Sequence, residues 1–417
     1  MDLSSVLHRL DKRIEGYRDE MINLQTILTS LPALAPENGG VGEAEKAKCI
    51  AGYCRKHGLT DIRNFDAPDP RALGGVRPNL VVSVPGRNRL RSLWIISHMD
   101  IVPPGEPEFW KYDPFTAVVT SDRIIGRGTE DNQQDLVASI FAALALRSEK
   151  LTPVLELRLA FVADEETGSA KGMVHLANAA GRLFNRDDFI VVPDFGSEDG
   201  SSIEIAEKST LWLRLAVHGK QCHASTPALG VNAMRAASHL VVSLDKLPAR
   251  FDRQDNIYMP QESTFEPTKR EANVPNINTI PGEDVFYLDC RVLPVYDLEE
   301  IIGSVREQAA EIEHRFGVTV KISTVQKMQA PPPTRETAPV VGALSKAISA
   351  VYGVDPKPLG IGGGTVAAHL RQRGLNVAVW SRQAKTAHQP NEFCLIDNMV
   401  GNAKVFARLS LLESEKQ

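Results

Sequence analysis

The feature that most constrains this chain is an apolar run that ends in a histidine and a carboxylate. Residues 93–97 form the run, and His98 and Asp100 stand at its end, two positions apart. Consecutive large apolar residues predict a buried strand of the kind found in the sheets of α/β domains. Side chains alternate along an extended strand, so His98 and Asp100 are expected on one face. We therefore predict a functional site at the end of this strand.

Further polar clusters follow other predicted strands. Apolar strands alternate with helical segments such as residues 134–148, and this alternation predicts a doubly wound α/β domain. In such domains ligands bind beyond the carboxyl ends of the strands. Each acidic or histidine cluster is expected at such an end, which predicts one shared site: Gly126–Asn132, Asp164–Glu166, Pro193–Asp194 and His388.

The pattern changes in the middle of the chain and then returns. A length of 417 residues exceeds what one hydrophobic core usually supports. From about residue 210 the predicted order is β-α-β-β-α-β, which is typical of a ferredoxin-like unit. We predict an α/β catalytic domain made of residues 1–208 and 328–417, with an inserted ferredoxin-like α+β domain at 209–327.

Composition excludes several classes of protein. The net charge of −5 gives no electrostatic reason to expect nucleic acid or anionic lipid as a partner. No segment has the apolar length needed to span a membrane, and the N-terminal segment has no signal-peptide core. The five cysteines are scattered, which predicts free thiols in a reducing compartment. We expect a cytoplasmic protein with neither nucleic acid nor a membrane as partner.

The strand-end residues match the needs of a two-metal hydrolase site. Such sites hold metals about 3.5–4 Å apart, and catalytic zinc takes three protein ligands and leaves a position for water. One bridging carboxylate and two terminal ligands per metal make five residues. Three carboxylates and one hydroxide also balance two divalent cations. The five candidates are His98, Asp131, Glu166, Asp194 and His388.

Two acidic residues beside these candidates have no ligand role. Glu165 could take a proton from the bridging water and pass it to a leaving amine. Asp100 could hydrogen-bond the far nitrogen of His98 and so select its tautomer. Taken singly, each of these residues could instead be a surface or hydrogen-bonded side chain, and the Glu165–Glu166 pair could be a solvated turn.

Five ordered motifs resemble a known family. In order and environment they are similar to the di-zinc family that includes acetylornithine deacetylase, succinyl-diaminopimelate desuccinylase, aminoacylase and glutamate carboxypeptidase. The similarity covers nearly the whole chain, and it implies two divalent ions, Zn²⁺ with Co²⁺ as the alternative. The motifs are Ser97–Asp100, Gly126–Asn132, Asp164–Glu166, Pro193–Asp194 and His388.

The resemblance assigns a role to each site residue. It implies that Asp131 bridges the metals and that a cis peptide bond follows it, between Asp131 and Asn132. Glu165 would be the general base that activates a metal-bridging water. The terminal ligands would be Glu166 and His388 for one metal, and His98 and Asp194 for the other.

The resemblance also implies how the inserted domain takes part. His223 follows the first strand of that domain, and in the family it stabilises the oxyanion, typically from the partner subunit of a homodimer. The inserted domain would then serve as lid and dimerisation surface. Without the resemblance, His223 would be interpreted as a surface histidine in a turn.

Three residues are expected to bind a substrate carboxylate. Asn278 and Arg291 resemble the family's carboxylate-binding segment, and Arg291 offers a planar guanidinium fork. Gly364 belongs to a glycine run whose backbone amides could approach the substrate. Two alternatives stay open, because Arg291 could form a salt bridge with Asp289 or Glu283 and the glycine run could be a simple turn.

Two departures from the family bear on the substrate. Asn132–Gln134 replaces the Met-Lys-Gly or Asp-Lys-Gly of many relatives, and Val366 stands where relatives often have Asp. The variant resembles a desuccinylase-like branch. The expected activity is hydrolysis of the amide bond of an N-acyl amino acid, a small molecule with a free carboxylate. The alternatives are a metallo-dipeptidase or carboxypeptidase that acts on short peptides, and a metal-stabilised binding protein without catalytic activity.

Overall fold

The structure, a computed structural model, describes residues 3–179 and 183–412. Its helices are α1 (Leu3–Glu15), α2 (Arg18–Thr29), α3 (Ala44–Lys56), α4 (Gln134–Ser148), α5 (Met173–Ala179), α6 (Ala233–Leu244), α7 (Leu247–Arg250), α8 (Leu298–Phe316), α9 (Pro339–Tyr352), α10 (Ala367–Arg371) and α11 (Ile396–Leu409). Its strands are β1 (Ile62–Asn64), β2 (Ala67–Pro68), β3 (Val76–Arg77), β4 (Leu80–Val84), β5 (Asn88–His98), β6 (Val118–Val119), β7 (Arg123–Ile125), β8 (Leu155–Val162), β9 (Phe189–Ser197), β10 (Ser202–Glu207), β11 (Ser209–His218), β12 (Cys222–His223), β13 (Thr264–Arg270), β14 (Thr279–Ile280), β15 (Glu283–Val292), β16 (Thr319–Met328), β17 (Lys357–Ile361), β18 (Val377–Arg382) and β19 (Phe393–Leu395).

The chain forms two compact units. Unit 1 comprises residues 1–205, 334–358 and 365–417, and unit 2 comprises residues 206–333 and 359–364. The sequence predicted breaks after residues 208 and 327 and did not anticipate the segment 359–364 in unit 2. This segment joins unit 2 through its backbone, because the Lys208 amide donates to the carbonyl of Ile361 and Tyr258 forms a parallel bridge with Gly360.

Unit 1 is built on most of an eight-stranded mixed sheet, in the order β1-β4-β8-β5-β9-β18-β10-β17, in which the last residues of β10 and β17 belong to unit 2. The central strands β8, β5, β9 and β18 run parallel. β4 pairs antiparallel with β8 and β1, and β10 pairs antiparallel with β18. Trp94 and Ile96 of β5 lie in one buried cluster with Met173 of α5 and Leu370 of α10. Ile95 points to the opposite face, where the buried helix α4 packs. Helices on both faces of a mixed sheet whose four central strands are parallel confirm the predicted α/β class.

Unit 2 is ferredoxin-like, as the sequence predicted. The strand that the sequence placed at 278–280 is instead β14 of a separate two-stranded ribbon, and β13 takes its place in the sheet. Its four-stranded sheet has the order β13-β15-β11-β16, and every neighbouring pair is antiparallel. The helices α6 and α8 pack against each other and against this sheet. Alternate residues of β11, from Leu211 to Val217, are buried in the unit's core with apolar residues of both helices. The roles of this unit as lid and as dimerisation surface stay predictions.

The structure describes the state of the cysteines and the character of the helices. All five cysteines are free thiols, and Cys54, Cys290 and Cys394 are buried. Among residues 3–179 and 183–412, no helix combines the length and the apolar character needed to cross a membrane.

Candidate metal centre

Parallel pairing brings the first two motifs to the same edge of the sheet. β5 ends at His98 and β8 ends at Val162, and these two residues are register partners. The chain leaves β8 through a short turn that carries Glu165 and Glu166. The carboxyl ends of neighbouring parallel strands therefore deliver a histidine and two carboxylates together, as expected for an α/β site.

Asp194 lies within a strand rather than after one. The sequence predicted a strand over 189–192, but β9 continues to Ser197 because it pairs with β18 beyond a register shift, with Gly196 opposite Ser381. The Asn132 side-chain amide donates to Asp194 Oδ1 at 3.1 Å and to the Pro193 carbonyl at 2.6 Å. Asn132 therefore orients one oxygen of this carboxylate.

The remaining two candidate ligands stand on loops with unusual backbone conformations. Asp131 lies in the turn Thr129–Gln133, directly before α4, and the peptide bond between Asp131 and Asn132 is cis, as the resemblance implied. His388 follows β18 and has a left-handed backbone with φ of 63°. Non-glycine residues adopt that conformation at a cost of roughly 1–2 kcal/mol, so the surrounding structure must hold this loop.

The five candidates form two clusters that share Asp131. In the inner cluster, His98 Nε2 lies 2.7 Å from Asp131 Oδ1 and 3.3 Å from Asp194 Oδ1. In the outer cluster, His388 Nε2 lies 3.1 Å from Asp131 Oδ2 and 3.2 Å from Glu166 Oε2. Asp131 thus turns one carboxylate oxygen toward each cluster. His98 is 3% exposed, whereas the side chain of His388 is 55% exposed.

These two clusters fit divalent metal ions. In each cluster the three ligand atoms lie within 4.8 Å of one another. Ligands about 2.0–2.1 Å from a tetrahedral ion are separated by about 3.3 Å, which is close to the distances observed here. Imidazole and carboxylate groups suit zinc and similar ions. The pairing of residues is the one that the resemblance implied, and ligation itself stays a prediction.

The side chain of Asp100 does not make the hydrogen bond to His98 that the sequence predicted. The far nitrogen of His98, Nδ1, lies 3.0 Å from the main-chain carbonyl of Asp100 and 3.6 Å from its carboxylate. The carboxylate is instead turned to the backbone amides of Glu165 and Glu166, which donate to it at 3.1 and 3.0 Å. The carbonyl thus selects the tautomer that leaves Nε2 free for a metal, while the carboxylate holds the turn after β8.

The clusters carry more negative charge than the chain itself balances. Burial and the charge of Asp194 raise the pKa of Glu165 well above its usual value. Burial and the charge of Asp131 likewise raise the pKa of Glu166 to about 7. Hydrogen bonds to Asp131 and Glu166 raise the pKa of His388 to about 11. Bound cations would reverse these shifts by favouring ionised carboxylates and neutral imidazoles.

Two predicted residues lie together in unit 2. β12 and β14 form a two-stranded ribbon in which His223 pairs with Thr279, and the Ala224 amide donates to the carbonyl of Asn278. The Ser225 amide donates to His223 Nδ1 at 3.1 Å, so the neutral ring carries its proton on Nε2. The exposed His223 can therefore donate a hydrogen bond, and its role at an oxyanion stays a prediction.

Arg291 is engaged by a carboxylate of the chain itself. Its guanidinium donates to Asp289 at 2.7 and 3.1 Å and to the carbonyl of Gly362 at 3.0 Å. These contacts favour the salt-bridge interpretation that the sequence left open, because Asp289 occupies the fork that a substrate carboxylate would need. Gly364, two residues after Gly362, is exposed.

Two further residues of the site were missed in the sequence. Glu130 and Glu392 are fully buried and hold the backbone of the loops that carry Asp131 and His388. The available signal was their position, because each acidic side chain stands inside a segment that also contains a candidate ligand. Sequence spacing does not reveal which backbone amides a buried carboxylate accepts.

Known proteins match both the sequence and the fold. The family model described as peptidase family M20/M25/M40 matches residues 94–411. The chain is 39% identical to an uncharacterized metallohydrolase of Methanococcus maripaludis, over 93% of this chain and 98% of that protein. It is 26% identical to a succinyl-diaminopimelate desuccinylase of a Methylobacterium strain, over 92% and 93% of the two chains. The fold is similar to that of human carnosine dipeptidase 1, with a TM-score of 0.76, 16% identity and coverage of 97% and 98%. The chain therefore belongs to the metallohydrolases of peptidase family M20/M25/M40.

Proposed function

We propose that this chain is a two-metal amidohydrolase that cleaves the amide bond of N-acyl amino acids. The observation that carries the proposal is the position of Asp131, which turns one oxygen to His98 and the other to His388. Glu165 lies in a further group of close ligand atoms with His98 and Glu166. A bridging carboxylate beside a free carboxylate is the arrangement that metal-assisted hydrolysis requires.

The residues of the two clusters divide the chemistry between them. His98 and Asp194 would hold one divalent ion, His388 and Glu166 the other, and Asp131 both. When bound, the ions supply Lewis acidity and lower the pKa of water. Glu165 takes a proton from the attacking water while the oxygen of that water bonds to the amide carbon. The carbon–nitrogen bond then breaks, and Glu165 returns the proton to the leaving amine.

The substrate class rests on one relative and on one part of unit 2. A desuccinylase is among the relatives that match over nearly the whole chain, at 26% identity, and this supports an N-acyl amino acid with a free carboxylate. Because Arg291 is paired with Asp289, the exposed backbone around Gly364 is the better candidate for contact with that carboxylate.

Replacing Glu165 with Gln tests the proposed proton transfer. Glutamine has a similar shape but cannot accept the proton, so kcat is expected to fall about 10²–10⁴-fold. Metal content, measured on the same samples, should stay at two ions per chain. Glu45→Gln, at an exposed position on α3, is the matched control and should keep full activity. Undiminished activity of Glu165→Gln would contradict the proposal.

A substrate panel distinguishes the proposed activity from that of a dipeptidase. N-acetyl and N-succinyl amino acids should be hydrolysed with higher kcat/KM than unmodified dipeptides. Reconstitution with Zn²⁺ and with Co²⁺ would identify the ion that supports the higher activity, and we propose Zn²⁺. Preferential cleavage of dipeptides would replace the proposed activity with the alternative.

We also propose that the protein is a cytoplasmic homodimer that associates through unit 2. This proposal rests on the resemblance and on the free cysteines. Sedimentation analysis of the purified chain tests the dimer, because a mass near twice 45.7 kDa is expected.

A further inference from the structure

Glu130 and Glu392 form a reciprocal arrangement around two candidate ligands. Both side chains are fully buried. Glu130 directly precedes Asp131, and Glu392 stands four positions after His388 in the chain. Each carboxylate accepts hydrogen bonds from the segment that carries the other one.

Glu392 holds the loop of Asp131. Its Oε1 accepts hydrogen bonds from the amides of Glu130 at 2.9 Å and Asp131 at 3.0 Å. Its Oε2 accepts from the Gly128 amide at 3.0 Å and from Arg127 Nη1 at 2.7 Å. The guanidinium of Arg127 balances the charge, and both of these side chains are buried. The amide of the shared ligand is therefore bound directly to this carboxylate.

Glu130 holds the loop of His388 in the same way. Its two oxygens accept hydrogen bonds from the amides of Ala384 and Thr386, from the Thr386 hydroxyl at 3.0 Å and from the Ala387 amide at 3.0 Å. The next residue, His388, has the left-handed backbone conformation described above. Hydrogen bonds on the preceding residues hold this conformation, because amides fixed by one carboxylate leave the loop few alternative paths.

We propose that Glu130 and Glu392 act as a reciprocal clamp that positions Asp131 and His388 and so sets the metal affinity of both clusters. They are positioning residues, since neither belongs to the candidate ligand set. The proposal deepens the proposed function and rests on its two-ion site. Asp131 belongs to both clusters, whereas His388 belongs to the outer cluster alone. Loss of Glu392 should therefore weaken both ions, and loss of Glu130 should weaken the outer ion.

Glutamine variants test the clamp with little change in volume. A carboxamide turns one acceptor oxygen into a donor, which then faces backbone amides that are donors themselves. Comparable changes in the residues that orient metal ligands lower metal affinity roughly 10–100-fold. We expect Glu130→Gln to bind the Zn²⁺ of the inner cluster with the wild-type Kd. The Kd of the outer ion should rise by about that factor. In Glu392→Gln both Kd values should rise.

The experiment measures both Kd values by equilibrium dialysis of the full-length, metal-free chain against buffered Zn²⁺. Titration with Co²⁺ adds the visible absorption of each bound ion, which a purely structural defect would not change site by site. Glu204→Gln is the matched control, because Glu204 is also fully buried in unit 1 and pairs with Arg371 at 2.6 Å, outside the two clusters. This control should keep both wild-type Kd values.

Thr386→Val keeps the test decisive if a glutamine variant does not fold. It removes the hydroxyl that Glu130 shares with the carbonyl of Phe393 and leaves the backbone amides that Glu130 binds in place. Its outer-ion Kd should rise, by less than in Glu130→Gln and by more than in Glu204→Gln.

Two results would overturn the clamp. One is wild-type affinity for both ions in Glu130→Gln and Glu392→Gln. The other is an equal loss of affinity in Glu204→Gln. Failure of the two-ion site that the proposed function requires looks different, because the wild-type chain itself would then bind no Zn²⁺. A wild-type chain that binds two ions but does not hydrolyse N-acyl amino acids would contradict the proposed activity and leave the clamp standing.

Discussion

Asp135 illustrates what burial does to a single carboxyl group of unit 1. Its side chain is fully buried and accepts hydrogen bonds from Ser381 Oγ at 2.6 Å and Asn402 Nδ2 at 2.8 Å. Burial outweighs these hydrogen bonds, with a further contribution from the charge of Asp194, and raises the pKa of Asp135 from 3.8 to about 7. The folded chain therefore keeps a proton that the unfolded chain releases near pH 4.

The free energy of unfolding should depend on pH through this residue. Because the pKa of Asp135 is higher in the folded chain, its contribution is fully present below about pH 4 and is lost as the pH rises to about 7. At about 1.4 kcal/mol per pKa unit, the change is at most about 4 kcal/mol. Urea unfolding of the metal-free chain at several pH values, with and without Asp135→Asn, measures it.

The variant should have a flatter profile than the wild type between pH 4 and 7. Glu45→Gln, at an exposed position, controls for the loss of any carboxyl group and should follow the wild type. Parallel profiles of Asp135→Asn and the wild type would contradict the assignment.

Two strands of the central sheet approach unusually closely beside a candidate ligand. β9 and β18 pair in parallel through a register shift, and Gly196 stands opposite Ser381. A Cβ at Gly196 would lie 1.6 Å from the Ser381 carbonyl oxygen. Asp194 stands two residues earlier in the same strand, so this close approach also guides the backbone that carries it. Only glycine permits the approach, because any side chain would collide with backbone.

Two glycine-to-alanine substitutions in unit 1 should therefore have opposite effects on stability. Gly196→Ala forces β9 and β18 apart and should lower the free energy of unfolding by at least about 1–3 kcal/mol. Gly342 lies in the interior of α9 and is exposed, and a methyl group at this position would meet open space. Gly342→Ala should raise the free energy of unfolding by about 0.5–1 kcal/mol. Denaturant unfolding measures both, and a neutral Gly196→Ala would refute the close-approach argument.

At the scale of the whole molecule, the candidate ligands all belong to unit 1. His98, Asp131, Glu166 and Asp194 precede the inserted unit in the chain, and His388 follows it. Bound ions would therefore join two chain segments of unit 1 that are far apart in sequence. Unit 2 has its own hydrophobic core and supplies none of these ligands.

Removing the metal should consequently lower the local stability of unit 1 and leave that of unit 2 unchanged. A ligand whose free concentration is about 100 times its Kd stabilises the folded state by about 2.7 kcal/mol per site. Hydrogen–deuterium exchange with and without a chelator should show faster exchange around β5, β9 and the loop of His388, and unchanged exchange in β11 and β15. Restoring Zn²⁺ should reverse the effect. Equal acceleration in both units would contradict this division.

Local sequence patterns predicted much of the fold. The helix over 134–148 has those bounds in the structure, because an alanine- and leucine-rich segment after a loop needs no distant information to form a helix. The ferredoxin-like class of unit 2 and the buried strand before His98 were also predicted, but the second strand of that unit, β13, was missed. Boundaries were less accurate where pairing decided them, as in β9, whose last residues are held by β18.

The sequence by itself determined the class of fold, the family and the set of residues that meet at the carboxyl edge of the sheet. The places of His98, Glu165 and Glu166 follow from residue types and their order, since neighbouring parallel strands bring their ends to one edge. Asp131, Asp194 and His388 were added by the resemblance of the ordered motifs. Only the tertiary structure decided which group contacts which. In the structure the carboxylate of Asp100 accepts hydrogen bonds from two backbone amides, and Arg291 pairs with Asp289. The carboxylates of Glu130 and Glu392 each bind the loop that carries the other residue's neighbouring ligand. The physical reason is that a buried carboxylate takes whichever donors the packed chain presents to it, and those donors come from segments that are remote in sequence.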